Sequence, residues 1–132
     1  MGGPLKRLLR QGRSRVEAGR LAEEAAARLL ESKGFKILGR NVRYREGEID
    51  IVAKDGETLV FVEVKARRCG DFGEGAEAVT SRKRGRIKRA ALRFLAKMGE
   101  EVPCRFDVVE VKLDNGGRPL GFRHIRGAFE EG

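Results

Sequence analysis

The sequence predicts an α/β domain, a mixed β-sheet carrying helices, with elements in the order α-β-β-β-α-β-β. Three features lead there. Two segments repeat apolar residues at helical spacing, several short runs are rich in β-branched and aromatic residues, and an Asp-Gly pair joins two of those runs as a hairpin turn would. At 132 residues the chain has the size of one domain with a single core.

Residues 1–14 read as a flexible basic arm, which leaves one domain over residues 15–132. The first helix covers residues 15–32, with Ala18, Ala22, Ala25, Ala26 and Leu29 forming one stripe. Ser14 and Glu17 have capping-box spacing, and Gly34 suits the left-handed residue that ends a helix. Residues 35–44 form the first strand. Residues 47–54 and 57–65 form a hairpin about Asp55-Gly56, because both residues tolerate the positive φ of a type I′ turn. A loop follows over residues 66–78. Its glycine-rich stretch, 70–75, lacks the Lys-Ser/Thr ending of a phosphate-binding loop and reads as a mobile flap. The second helix covers residues 79–98, with Ile87, Ala91, Phe94, Leu95 and Met98 on its apolar face. Strands over 105–113 and 121–125, separated by a turn at 115–117, complete the set.

Composition narrows the function. Seven Phe, one Tyr and no Trp make the core aliphatic. No run of about 18 apolar residues is present, so no membrane span is expected. Residues 1–14 lack the apolar stretch of about 7–15 residues that a secretory signal needs. Cys69 and Cys104 have no CxxC or Cys/His partner pattern, which favours reduced thiols in a cytoplasmic protein over a zinc site.

Charge is more informative. Lys and Arg number 29 against 20 Asp and Glu, a net charge of +9. Residues 78–99 hold eight cations (Arg82, Lys83, Arg84, Arg86, Lys88, Arg89, Arg93, Lys97) and no acid. Residues 1–16 hold five cations, again without an acid. A solvated helix face normally interleaves both signs. Their segregation points to a nucleic-acid partner, with a membrane surface or a ribosome-like setting as the alternatives.

The hairpin concentrates the chemistry. With Asp55-Gly56 as the loop, Lys54 pairs with Glu57, Asp50 lies opposite Phe61, and Glu63 lies opposite Glu48. Glu48, Asp50, Phe61, Glu63 and Lys65 then share one face, while Ile49, Ile51, Val60, Val62 and Val64 take the core face. Asp50 and Glu63 become diagonal neighbours. Clustered carboxylates repel unless a cation joins them, and Mg²⁺ or Mn²⁺ suits such oxygen ligands; Asp50, Glu63 and Glu48 are the candidate metal ligands. Lys65 would orient a nucleophilic water or steady charge on a phosphate. The tetrapeptide Val62-Glu63-Val64-Lys65 recurs as Val109-Glu110-Val111-Lys112, so Glu-x-Lys alone is uninformative. Asp107 lies three residues from Glu110 on one strand and faces the other way, so only the first copy assembles a site.

These residues resemble a known family. Gly47-Glu48-Ile49-Asp50 followed by Phe61-Val62-Glu63-Val64-Lys65-Ala66-Arg67 is similar to the YraN-like family of small bacterial proteins. The likeness extends through Gly19 to Glu23, Arg105-Phe106-Asp107-Val108-Val109, His124-Ile125 and Ala128-Phe129. It implies a restriction-endonuclease-like fold of the PD-(D/E)XK superfamily, related to archaeal Holliday-junction resolvases. It also implies that Asp50, Glu63 and Lys65 are catalytic, with Glu23 as an additional acid from the first helix. The helical wheel agrees in part: Glu23 lies about 100° from the stripe centre near Ala22, and Glu24 about 160° away in solvent. His124 is either a base or a structural histidine.

The expectation is a Mg²⁺- or Mn²⁺-dependent endonuclease acting on DNA, including branched or single-stranded DNA, with a homodimer suggested by the junction-resolvase likeness. Arg82, Lys83, Arg84, Arg86, Lys88, Arg89, Arg67 and Arg68 are the candidate nucleic-acid contacts. The alternatives are a non-catalytic nucleic-acid-binding module on the same fold, and a protein whose basic patch docks on an acidic partner.

Overall fold

The computed structural model describes residues 4–68 and 80–129, with side chains from Val16 to Arg67 and from Thr80 to Phe129. The elements are α1 (Pro4–Ser32), β1 (Lys36–Tyr44), β2 (Gly47–Asp55), β3 (Thr58–Arg68), α2 (Ser81–Met98), β4 (Cys104–Leu113) and β5 (Pro119–Phe129). Class and order are those the sequence predicts. The strands form one sheet in sequential order. Among the described strands only β3 and β4 pair in parallel, because α2 crosses over between them.

The helix α1 starts earlier than expected. Residues 4–14, read as an arm, continue the helix, and Ser14 is not its cap. Pro4 occupies the first turn, where its missing N–H costs nothing, and a Leu- and Arg-rich segment follows. The C-terminal end is as predicted. Gly34 has φ 90°, Phe35 N–H donates to the Leu30 carbonyl and Gly34 N–H to that of Glu31 (3.0 Å each), which satisfies the final turn. Helix α2 is capped by Thr80, whose hydroxyl accepts from Lys83 N–H, and closes on Gly99 at φ 70°. The glycine-rich stretch expected as a flap lies outside the described residues.

Both faces of the sheet are buried, in contrast to the single core face expected. Ala22, Ala26 and Leu30 of α1 pack on Ile51, Val60, Val62, Val109 and Val111. Ile87, Ala90 and Ala91 of α2 pack on Val52, Phe61, Phe106 and Val108 on the other side. Phe61, expected beside the carboxylates on an open face, is fully buried beneath α2.

The hairpin register also differs from expectation. Asp55 pairs with Thr58, so the loop is Gly56-Glu57 rather than Asp55-Gly56. Gly56 has φ 61° and takes the first loop position, where a type II′ turn needs glycine. Asp55 instead extends the strand and receives Arg105 at 3.0 Å. The shift sets Ile51 opposite Val62, and the pairing stops there, one residue short of Asp50 and Glu63.

Alternation along β2 breaks at Asp50. Ile51 belongs to the α1-side core, yet Ile49, two residues away, belongs to the α2-side core. The same inversion occurs on β1, where Arg40 pairs with Ile51 and Val42 with Ile49. Between them Asn41 adopts φ 51°, the one positive φ at a non-glycine residue among those described. The β2–β3 pairing ends at Ile51↔Val62, and the Asp50 carboxylate takes the place of a ladder acceptor for Val64 N–H at 2.8 Å.

Gly47 explains how α2 comes so close to this point. A Cβ there would collide with the Arg86 backbone carbonyl. Gly47→Ala is therefore expected to destabilise the fold by about 1–3 kcal/mol through overpacking. Urea unfolding measures this; an unchanged midpoint would mean that α2 does not rest on Gly47.

Candidate active site

The break in β2 opens a cleft of about 250 Å³ lined by Glu48, Asp50, Glu63, Lys83, Arg86 and Ile87. Asp50 and Glu63 both line it. Glu63 is 5% exposed and forms an ion pair with Lys83 Nζ from the first turn of α2. Burial, and next the adjacent Glu63 carboxylate, push Asp50 up to about 7, against the hydrogen bond from Val64. Asp50 thus holds a proton near neutrality, as a carboxyl desolvated beside a second carboxylate does.

Lys65, two residues beyond Glu63, is half-buried. Burial and then the Lys83 charge lower its pKa, while Glu63 and Asp50 oppose the shift. Glu23 comes from α1. It lies seven residues from the fully buried Leu30, about 20° away on the helical wheel, so it stands nearer the sheet than the expected stripe implied. Its pKa is raised, first by burial, with Glu48 and Glu63 adding to the shift and an Asn41 side-chain hydrogen bond and Arg40 opposing it. Glu23 Oε1 is buried without a hydrogen-bond partner.

Asp50, Glu63, Lys65 and Glu23 thus share one electrostatic neighbourhood. Glu48, named as a third metal ligand, lines the same cleft and pairs with Arg43 at 3.3 Å. Among the described residues no three or more His, Cys, Asp and Glu side chains are arranged to hold a metal ion. The donor set that remains is the Asp50–Glu63 pair, with the unpartnered Glu23 oxygen in the same neighbourhood. Such a set suits Mg²⁺, which typically takes one or two protein carboxylates and completes its shell with water and substrate phosphate.

The basic residues divide. Arg82, Arg86 and Arg89 are exposed on α2. Lys83 turns into the cleft, and Arg93 reaches Glu46 at 3.7 Å, so acids absent from the helix arrive from β3 and from the turn between β1 and β2. Arg84 stacks over Phe129 at 5.5 Å, Lys88 is half-buried, and Arg67 donates to Glu110 at 3.3 Å. The Arg68 side chain lies outside the described residues. The position of Lys83 beside the Glu63 carboxylate is a site feature that sequence reasoning missed, having read Lys83 as a phosphate contact.

His124 is not a base for this cleft. It sits on the α1 face of the sheet, where Nε2 meets Asp107 at 2.8 Å and Nδ1 meets Lys33 Nζ at 2.8 Å. Its side chain is 3% exposed. Asp107, fully buried, also receives Arg105 and Gly127 N–H. That network anchors β5 to β4 and to Lys33, just beyond the end of α1. It also agrees with the expectation that Asp107 faces away from Glu110.

Residues 22–111 match the uncharacterised protein family UPF0102. The chain belongs to this family. A UPF0102 protein of Symbiobacterium thermophilum is 52% identical over 84% of this chain and 94% of its own length. One from Frankia casuarinae is 48% identical over 89% and 99%, and one from Hahella chejuensis 42% identical over 96% and 97%. This is the YraN-like family anticipated from the Gly47–Asp50 and Phe61–Arg67 segments. The matched region contains both helices' site residues and every carboxylate of the cleft.

Proposed function

We propose that the protein is a metal-dependent endonuclease of the PD-(D/E)XK type that hydrolyses phosphodiester bonds in DNA, branched or single-stranded DNA included. The observation that carries this reading is the Asp50 carboxyl, buried against Glu63 and pushed up to about 7, with Lys65 on the adjacent strand. Two carboxylates forced together hold one proton between them, and a divalent cation replaces that proton more favourably. Asp50 and Glu63 would hold Mg²⁺ or Mn²⁺, which supplies Lewis acidity toward the phosphate. Lys65 orients the attacking water and balances charge developing on the phosphoryl oxygens. Arg82, Arg86 and Arg89 grip the backbone beside the cleft.

Incubating the protein with duplex, flapped, single-stranded and four-way DNA, in Mg²⁺, Mn²⁺ or EDTA, tests the proposal. Cleavage that EDTA abolishes is expected; no cleavage of any substrate sinks it. One observation favours the alternative of a non-catalytic nucleic-acid-binding module: Lys83 occupies the Glu63 carboxylate that a cation would need. DNA binding without cleavage would select that alternative. A cytoplasmic setting and a homodimer belong to the same reading. Among the described residues no helix is long and apolar enough to cross a membrane.

Binding itself is expected to depend steeply on salt, at about 0.9 log units of affinity per log unit of salt for each duplex phosphate neutralised. Charge reversal at Arg82, Arg86 and Arg89, which stay exposed on α2, is expected to flatten that slope. Fluorescence anisotropy across a salt series reads it. An affinity indifferent to salt would argue against nucleic acid as the partner.

A further inference from the structure

Five of the cations on α2 fall on one line. Arg82, Arg86, Arg89, Arg93 and Lys97 follow one another at steps of three or four residues, which at about 100° per residue keeps them within a sector of about 80°. All five are exposed, and no acid of the helix interrupts them. Lys83, Arg84 and Lys88 lie off this line. Among the described residues no ion pair engages Arg82, Arg86 or Arg89.

The stripe has a defined start and end. Arg86 lines the carboxylate cleft. At the far end, Arg93 and Lys97 stand 5.7 and 5.2 Å from the centre of the Tyr44 ring, beside the turn between β1 and β2. Gly85 lies one turn before Arg89, and a Cβ there would come 3.3 Å from Arg89 Nη1, so Arg89 lies back along the helix toward the cleft. Like charges three or four residues apart repel. The first turn is also basic and holds no acid, against the preference of the positive end of a helix dipole. An anion seated along this flank offsets both costs.

From Arg82 to Lys97 the stripe is about 22 Å long, at about 1.5 Å per residue. That length matches about six base pairs of duplex, at about 3.4 Å each. Proteins that hold single strands add aromatic platforms on which bases stack. None lies in this stripe, and Tyr44 is already covered by Arg93 and Lys97. The one exposed aromatic residue among those described, Phe122, is on β5, at the opposite edge of the sheet from β1. Cations without stacking partners fit phosphates whose bases remain paired.

We propose that this flank of α2 seats one arm of duplex DNA, about six base pairs long, running from the cleft to the turn between β1 and β2. This rests on nucleic acid as the partner, proposed above, and is independent of the cation.

Fluorescence anisotropy in EDTA, with melting temperatures recorded, tests it on a blunt DNA duplex longer than the stripe and on one of its strands alone. At about 0.1 M salt the parent is expected to bind duplex about tenfold more tightly, since five contacts each differ by about 0.2 log units per log unit of salt between the two forms. Lys97→Gln is expected to lower duplex affinity about eightfold under the same conditions, and Arg93→Gln/Lys97→Gln further. Lys36→Gln/Lys54→Gln removes two charges at the opposite end of the β1–β2 pair from the turn, and is expected to bind as the parent does. If the parent binds duplex and the Lys97 variants behave like that control, the stripe is refuted and the nucleic-acid reading survives. Equal affinity for duplex and single strand refutes the duplex arm. If the parent binds neither at low salt, the nucleic-acid reading fails and the stripe with it.

Discussion

Lys65→Ala is expected to lower the metal-dependent cleavage rate by at least about tenfold, near 1.4 kcal/mol of transition-state stabilisation, while Lys112→Ala cleaves within about twofold of the parent. The two lysines end identical tetrapeptides, Val62-Glu63-Val64-Lys65 and Val109-Glu110-Val111-Lys112, on neighbouring parallel strands. Losing either removes one positive charge from the same sheet, so any general effect on DNA attraction appears in both. Their surroundings differ. Lys65 is half-buried beside Glu63 and Asp50, whereas Lys112 is exposed and its neighbour Glu110 is paired with Arg67 and Arg123. Single-turnover cleavage with DNA in excess of its binding constant isolates the chemical step. Equal losses in the two variants, or none in either, would mean that Glu63-x-Lys65 is not the catalytic element.

Asp50→Asn is expected to abolish most divalent-ion binding and yet stabilise the metal-free protein above neutral pH. The sign follows from the direction of the shift. Asp50 rises from 3.8 to about 7 on folding, so the folded protein retains a proton that the unfolded chain has already released. Stability from this group is undiminished below pH 3.8, falls as pH rises from there to about 7, and stays reduced above it. Asparagine carries no charge to desolvate and no repulsion with Glu63, and it retains an oxygen for Val64 N–H. Urea unfolding of parent and variant at about pH 5 and about pH 8, each in EDTA, reads the difference. A variant equally destabilised at both values would show that the Asp50 charge is not strained in the fold. Mn²⁺ titration of the same two proteins completes the test, and equal affinities would remove Asp50 from the site.

Much of the architecture was legible from local rules. The α1 stop at Gly34, the apolar face of α2 and the hairpin between Asp50 and Glu63 each follow from residue spacing and backbone preference. Even the separation of the two Val-Glu-Val-Lys copies follows from side-chain alternation, because Asp107 and Glu110 are an odd number of residues apart. The hairpin register was not legible to that precision. Asp-Gly and Gly-Glu are both acceptable two-residue loops, and the choice went to the second because Asp55 finds Arg105 from β4, a partner distant in sequence.

The candidate site divides along the same line. Asp50, Glu63 and Lys65 were identifiable because they lie on two adjacent strands whose relation is set by a short turn. What the sequence could not decide is everything that depends on elements meeting. The single open face expected for the sheet became two cores once α2 folded over β2, an approach that Gly47 permits by lacking a Cβ. Lys83, read as one of many phosphate contacts, became the partner of Glu63 because the first turn of α2 ends at the cleft. His124 left the list of bases once its two nitrogens were taken by Asp107 and Lys33 on the far face. By itself the sequence determined the elements, their order and the short-range carboxylate pair, since turn chemistry and periodicity act over a few residues. Only the tertiary structure decided which charges are buried together, because desolvation and ion pairing depend on contacts between segments that no local spacing encodes.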